Sequence, residues 1–417
     1  MRQFTRDPLR LVRSTDRVTR PFVILALLGL CFPGAGLAVP GARSPGQYLA
    51  PPDAVTLFPF VDLAQDTGRQ VVVDREAGQY LGHPSTVLLE DGRTMLCVYP
   101  KGHGKGPLVL KRSTDGGLTW SARLPVPDNW ATSLETPSIH RVVDAAGRKR
   151  LIVWSGLYPA RLSVSEDDGN HWTPLTPAGN WGGIVVMGSV AAVRGAPGHY
   201  LAWFNDDGST LDGRKKPATP PLYQIYQVAS ADGGLTWSAP HPIASSSELR
   251  LCEPGFVRSH DGKQLALLLR EDSRRHFSQV IFSNDEGVTW TAPRPLSIGL
   301  IGDRHTAAYA PDGRLVVVFR DTNRASPTNG DWCAWVGTYD DLVHGRLGQY
   351  RVRLMHSTWG WDCGYSGLHV LGDGTFVATS YGHWIDAEEP YIVSVRFKLA
   401  ELDTRLGSQE HPAPSAR

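Results

Sequence analysis

The feature that most constrains the fold is an eight-residue motif, Ser-x-Asp-x-Gly-x-x-Trp, that occurs four times. The copies occupy residues 113–120, 165–172, 230–237 and 283–290. In such a segment the Asp side chain can accept from nearby backbone N–H groups, the Gly can take a positive φ, and the Trp can pack over the turn. Each copy therefore predicts a hairpin turn, and residues 338–341 are predicted to be a worn copy.

A weaker repeat, an apolar strand, a small turn and a second apolar strand, occurs six times. Its turns centre on Asp91-Gly92, Gly147, Gly198, Asp261-Gly262, Asp312-Gly313 and Asp373-Gly374. Strands at this density, without a long helical stretch, indicate an all-β protein. Six units of four short strands predict a six-bladed β-propeller over residues 70–406, with residues 391–397 completing a blade together with N-terminal chain.

The two ends of the chain have a different composition from the repeats. An arginine-rich head, an apolar run over residues 22–32 and small residues up to Ala38 are typical of a secretory signal peptide over residues 1–38. The run is too short to span a bilayer, although an N-terminal anchor or a misplaced start codon is an alternative. We expect an exported protein, periplasmic or extracellular, with a lead-in over residues 39–69 and a disordered tail over residues 407–417.

Charge and cysteine usage narrow the function classes. The 417 residues include 42 Lys and Arg against 41 Asp and Glu, a balance that disfavours nucleic acid as a partner. No stable membrane span is expected after signal cleavage. The four remaining cysteines, Cys97, Cys252, Cys333 and Cys363, have no C-x-x-C spacing, so no metal site is predicted, and buried free thiols are favoured over disulfides. We expect no cofactor.

In a propeller, equivalent inner-strand positions of all blades meet at one face. The residues about eight positions before each small turn are His83, the region of Glu135, the region of Met187, Glu253, Arg304 and Tyr365. Most are polar or ionisable, whereas purely structural inner strands carry small or apolar residues there. Arg270 and Arg320 each end an apolar strand at one register, which predicts a shared anionic ligand; the alternative is a pair of edge residues that extend to solvent.

These features resemble the sialidase (neuraminidase) superfamily, whose members are six-bladed propellers with such Asp-box (BNR repeat) turns. Glu253 followed by Arg270, and Tyr365-Ser366 before an Asp-Gly turn, match the family pattern. The resemblance implies an exo-acting glycosidase that releases a terminal acidic sugar. Tyr365 would be the nucleophile, Glu253 its base, and Arg270 with Arg304 or Arg320 a carboxylate clamp. A neutral phenol suits such a substrate because the substrate's own carboxylate would repel an anionic nucleophile.

Two departures from the family pattern shape the remaining expectations. His83 stands where the family has an arginine, and the loop over residues 101–106 carries His103 instead of an acidic Asp. We therefore expect His103 or His83 to be the general acid. His305 is a further substrate-binding candidate and, with Asp303, a weaker substitute for the acid.

Other functions stay open on the sequence alone. One alternative is a hydrolase or lyase that acts on a uronate-containing glycan with His83 or His103 as acid or base. Another is a non-catalytic glycan-binding propeller. The partner expected in each case is a glycan or glycoconjugate, and one or two of Trp332, Trp335, Trp359, Trp361 and Trp384 are expected to stack on sugar rings.

Overall fold

A computed structural model of the chain describes residues 58–156, 159–179, 186–208 and 222–410. The predicted signal peptide, most of the predicted lead-in and residues 411–417 of the predicted tail lie outside these ranges. Within them the chain is almost entirely β-structure, and its strands form six sheets.

The strands of the first three sheets follow each other along the chain. The first sheet contains β3 (Ser85–Leu88), β4 (Met95–Pro100) and β5 (Leu108–Ser113). The second contains β6 (Ser138–Val143), β7 (Lys149–Ser155), β8 (Arg161–Ser165) and β9 (Thr176–Pro177). The third contains β10 (Met187–Ala192), β11 (Tyr200–Asp206), β12 (Gln224–Ser230) and β13 (His241–Ser245).

The other three sheets complete the ring, and two of them include strands from the N-terminal side. The fourth contains β14 (Leu251–Arg258), β15 (Leu265–Glu271), β16 (Gln279–Ser283) and β17 (Arg294–Pro295). The fifth contains β1 (Phe60–Asp62), β18 (Gly302–Tyr309), β19 (Leu315–Asp321), β20 (Trp332–Gly337) and β21 (Tyr350–Met355). The sixth contains β2 (Gln70–Asp74), β22 (Gly367–Val370), β23 (Phe376–Gly382) and β24 (Tyr391–Phe397).

In the described parts of the chain, two α-helices and three short 3₁₀ turns accompany the strands. Helix α1 is Tyr339–His344 and helix α2 is Leu399–Glu410, and the 3₁₀ turns are Thr67–Arg69, Asp128–Thr132 and Ile298–Leu300. Residues 407–410, predicted to be disordered, are therefore the last turn of α2. None of the described helices is long and apolar enough to cross a membrane.

The fold is a six-bladed β-propeller, as predicted. The inner strands β3, β6, β10, β14, β18 and β22 contact their neighbours around a closed ring. The sixth blade is closed by β2, which pairs antiparallel with β24. The short strand β1 pairs parallel with β21 at the outer edge of the fifth blade, so the chain joins the propeller ten residues before the predicted boundary at residue 70.

The core consists of six apolar layers, one between each pair of neighbouring blades. The middle strands contribute to two layers at once: in β19, Leu315, Val317 and Phe319 pack towards the fourth blade, while Val316 and Val318 pack towards the sixth. Because both faces are buried, these strands are continuous apolar runs instead of alternating ones. All four described cysteines are buried and free, as predicted.

The four repeated turns share one hydrogen-bond pattern. In each, the Gly N–H donates to the Ser Oγ at 2.8–2.9 Å, and an Asp Oδ1 accepts from the backbone N–H of the residue before the Trp at 2.9–3.0 Å. That Gly has φ between 80° and 86° in all four, which explains why it is always glycine. The prediction of a fifth, worn copy at residues 338–341 is wrong, because Thr338 and Asp341 form the capping box of α1.

Candidate active site

Three polar residues at the start of the inner strands have a left-handed backbone conformation. His83, Glu253 and Arg304 occupy equivalent positions in three blades, and their φ values are 53°, 49° and 55°. In the fourth and fifth blades, the pairing with the next strand is also interrupted at this point. A left-handed backbone costs a non-glycine residue on the order of 1 kcal/mol or more, and bulges at barrel rims redirect side chains. In this protein, the left-handed residues and the bulges turn polar side chains towards the end of the central channel at which the inner strands begin.

Tyr365 and Glu253 meet at this end of the channel from the sixth and fourth blades. The Tyr365 hydroxyl donates a hydrogen bond to Glu253 Oε1. Burial, followed by the charge of Glu253, raises the pKa of Tyr365 well above its usual range, so the phenol is neutral. The adjacent Gly364 is required because a Cβ there would lie 2.7 Å from the Arg320 Cβ. A half-buried phenol is thus held against a carboxylate that can accept its proton.

Arg270 fixes the other side of Glu253. Its Nη1 donates to Glu253 Oε1 at 2.8 Å and its Nη2 donates to Asp272 at 2.6 Å. Arg270 and Arg320 share one register, since each faces the residue just before the strained position of its blade, Cys252 and Asp303 respectively. The two arginines lie at one register in neighbouring blades and both contact Asp303, whereas the anionic ligand predicted for them stays a prediction.

Asp303 lies at the centre of a cluster of arginines. Its carboxylate accepts from Arg320 Nε at 3.0 Å and Nη2 at 2.6 Å and from Arg274 Nη2 at 2.7 Å, and it lies 3.4 Å from Arg270 Nε. Burial alone would raise the pKa of this carboxyl, but the arginines, Arg320 foremost, lower it to about 2. Asp303 is thus a buried anion and not a proton donor at neutral pH.

His83 is locked in one neutral state. The Gly104 N–H donates to His83 Nδ1 at 3.1 Å, so the ring proton is assigned to Nε2, which lies 3.1 Å from the Tyr381 hydroxyl. Burial lowers the pKa of His83 well below its usual value. Its ring also packs edge-on against Tyr365, with centroids 4.5 Å apart. His83 therefore orients its neighbours and cannot serve as a general acid.

His103 has the opposite electrostatic setting. Its Nδ1 lies 2.7 Å from the Tyr80 hydroxyl and 3.4 Å from Asp362 Oδ1, and its side chain is 67% exposed. The hydrogen bond with Asp362 raises the pKa of His103. Because Tyr80 donates to Asp362 at 2.8 Å, Nδ1 keeps its proton and Nε2 is the nitrogen that exchanges one. The charge of half-buried Glu135, whose own pKa is raised by burial, also contributes to the raised pKa of His103.

A cavity of about 390 Å³ joins these groups. Its lining residues are His83, His103, Arg270, Arg320, Trp359, Trp361, Asp362, Tyr365 and Tyr381. Trp359 and Trp361 are 71% and 43% exposed, and Arg274 lies over the Trp361 ring. The volume is in the range of small-molecule pockets, and the exposed indoles offer flat apolar surfaces to a ligand.

The structure brings together six of the eight predicted site residues: Tyr365, Glu253, His103, His83, Arg270 and Arg320. Arg304 lies under the Tyr365 ring, 5.5 Å from its centroid, but lines a separate axial cavity of about 200 Å³. His305 does not reach the pocket; it is buried, its Nε2 contacts the Leu300 carbonyl at 2.9 Å, and burial lowers its pKa.

The sequence interpretation missed Asp362, Tyr80, Tyr381 and Arg274. One sequence signal could have identified Asp362 as a site residue. It lies only three residues before Tyr365 and belongs to none of the turn motifs. Trp332 and Trp335, predicted as candidates for sugar stacking, are fully buried. Among the described residues, no group of three or more His, Cys, Asp or Glu side chains has the arrangement of a metal site.

Comparisons with known proteins place the fold among sialidases. No protein-family model matches the chain, and no curated protein matches its sequence. A protein of unknown function from Dyadobacter fermentans is 14% identical, with 79% of this chain and 97% of that chain covered and a TM-score of 0.61. The NanB sialidase from Streptococcus pneumoniae is 11% identical, with 80% and 71% covered and a TM-score of 0.53. The intramolecular trans-sialidase from Ruminococcus gnavus is 15% identical, with 78% and 95% covered and a TM-score of 0.52. The chain therefore shares the six-bladed β-propeller fold of these sialidase structures, at a sequence identity of 11–15%.

Proposed function

We propose that this protein is an exo-acting glycoside hydrolase that cleaves the terminal sugar from a glycan through a covalent intermediate on Tyr365. The observation that carries the proposal is the hydrogen bond from the half-buried Tyr365 hydroxyl to Glu253, which is itself oriented by Arg270. A phenol, its proton acceptor and a residue that orients the acceptor are the parts of an activated nucleophile.

In the first step, the Tyr365 oxygen attacks the anomeric carbon as Glu253 takes the phenol proton. The glycosidic C–O bond breaks, and His103 Nε2 gives its proton to the departing oxygen. Asp362 and Tyr80 hold the proton on Nδ1, so His103 is left neutral. Positioned acids and bases of this kind contribute about 10²- to 10⁴-fold each.

In the second step, neutral His103 takes a proton from a water molecule, which attacks the same carbon. The bond to Tyr365 breaks, and Glu253 returns the proton to the phenolate oxygen. Two displacements at one carbon give net retention of anomeric configuration. All groups regain their starting protonation states, and the step needs no redox or group-transfer partner.

The lyase alternative with His83 as acid or base is weaker than this proposal. Both ring nitrogens of His83 are engaged inside the protein, and its pKa is lowered by burial. A non-catalytic binding protein does not need a phenol that is hydrogen-bonded to a proton acceptor, so the contact of Tyr365 with Glu253 favours the enzyme. Export from the cell remains a prediction from the N-terminal composition.

Turnover on a panel of aryl glycosides tests the proposal, with Tyr365→Phe as the inactive variant and Tyr350→Phe as the matched control. Tyr350 is a buried tyrosine of β21, and its hydroxyl also donates to a carboxylate, Asp403, at 2.9 Å. We expect release of the aryl group by the wild type and the control only. Equal turnover by Tyr365→Phe, or no turnover of any glycoside by the wild type, would refute the proposal.

A further inference from the structure

The guanidinium groups in the pocket wall are already occupied by carboxylates of the chain itself. Arg320 directs Nε and Nη2 to Asp303, and its Nη1 donates to the carbonyls of Trp361 and Cys363. All three of its nitrogens are therefore engaged. Arg270 holds Glu253 with one terminal nitrogen and Asp272 with the other. On both arginines, every nitrogen thus donates to or faces an acceptor of the protein, so a ligand carboxylate would have to compete with these acceptors for the guanidinium edges.

The charges in this cluster balance without a ligand. Three guanidinium groups, from Arg270, Arg274 and Arg320, face three carboxylates, from Asp303, Glu253 and Asp272. A further carboxylate would add an unmatched negative charge to a largely buried site, which is unfavourable. Of the two other cations near the site, Arg304 lines the axial cavity and not this pocket, and protonated His103 is matched by the carboxylate of Asp362.

A ligand carboxylate cannot readily displace the Asp303 side chain from the arginines. Its side chain is 1% exposed, and its backbone is paired with Arg320 in the ladder between β18 and β19. The flanking Gly302 allows this close approach, because a Cβ there would lie 2.2 Å from the Phe319 ring. The carboxylate is thus fixed directly behind the two arginines that line the pocket, Arg270 and Arg320.

From this arrangement we propose that Asp303 is a specificity-determining residue: it supplies the anion of the arginine cluster from within the chain, and the pocket takes a terminal sugar that carries no carboxylate. The inference rests on the glycosidase function proposed above and adds a substrate class to it, uncharged sugars in place of the acidic sugar expected from the sequence. It replaces the arginine clamp expected from the sequence.

The test compares the full-length wild type with Asp303→Asn on paired aryl glycosides: uncharged hexosides and pentosides against a sialoside and uronides. We expect the wild type to prefer an uncharged glycoside by about 30-fold or more in kcat/KM. Asp303→Asn frees Arg320 and Arg274, so the ratio of acidic to uncharged turnover should rise about 30-fold or more. Asp321→Asn is the control, because Asp321 is a fully buried partner of Arg351 on β19, outside the pocket; it should keep the wild-type ratio.

The outcomes separate the two proposals. Wild-type turnover confined to acidic glycosides, and lost in Tyr365→Phe, would overturn the role of Asp303 and keep the glycosidase. No turnover of any glycoside would refute the glycosidase itself. If Asp303→Asn is unstable, calorimetry of the wild type with free N-acetylneuraminate decides the inference: no binding at millimolar ligand supports it, and binding overturns it.

Discussion

Arg270→Lys is the substitution whose effect follows most directly from the contacts in the site. The guanidinium serves three carboxylates at once: Glu253 at 2.8 Å, Asp272 at 2.6 Å and Asp303 at 3.4 Å. A lysine ammonium keeps the charge but cannot reach all three from a single nitrogen. Two of the contacts are charge-assisted hydrogen bonds, worth about 1.5–3 kcal/mol each, and at least one of them must be lost.

We therefore expect Arg270→Lys to lower the free energy of unfolding by about 2–4 kcal/mol in urea denaturation. Since Glu253 loses its orienting partner, kcat/KM on the best glycoside should fall by about 30-fold or more. Arg274→Lys is the matched control: Arg274 donates one hydrogen bond, to Asp303, so lysine should replace it at a cost below about 1 kcal/mol.

Equal stability and equal turnover of the two lysine variants would refute this reasoning. Such a result would mean that Arg270 only extends towards solvent from the end of β15, and that Glu253 does not depend on it. A loss of stability with normal turnover would separate the structural role of Arg270 from any role in catalysis.

The remaining predictions concern the acid, the nucleophile pair and the repeated turns. His103→Gln should lower kcat about 10²- to 10⁴-fold on substrates with poor leaving groups and less on activated aryl glycosides. His103 is an acid only while it is protonated, and Asp362 raises the pKa of His103. Asp362→Asn should therefore move the alkaline limb of the pH–rate profile to lower pH. An alkaline limb at the wild-type pH would contradict the role of His103 as the acid. Tyr365→Phe and Glu253→Gln should each abolish most turnover, and the double variant should be little worse than either, whereas additive losses would contradict a shared step. Asp232→Ala removes an acceptor of two backbone N–H groups in its turn and should lower the unfolding free energy by about 1–2 kcal/mol in denaturant titration, with turnover unchanged.

The propeller was predictable because its repeats are local in sequence. A turn such as residues 283–290 is held by side chains within the same eight residues, so its chemistry can be read directly. The apolar run of β19 is explained by burial on both faces, which only a ring of blades provides. Strand β1 was missed because three residues carry too little pattern, and its position depends on a parallel partner almost 300 residues away.

The site was predictable where strand register sets it and unpredictable where irregular chain does. Tyr365, Glu253 and Arg270 follow from the inner-strand positions and the pairing within one blade. Asp362 lies in the irregular segment before β22, so its meeting with His103 and Tyr80 depends on three separate loops. The ion pairs of Asp303 with three arginines could not be predicted from the sequence, because they depend on how the fourth and fifth blades pack together.

The most direct test of the central claim is to trap the reaction on Tyr365. The wild type, mixed with a slowly hydrolysed aryl glycoside of its preferred sugar, should be quenched in acid, digested and analysed by mass spectrometry. We predict a glycosyl adduct on the peptide that contains Tyr365, no adduct in Tyr365→Phe, and a product whose first-formed anomer, by NMR, matches that of the substrate. An inverted anomer with no adduct, or an adduct on another residue, would contradict the account.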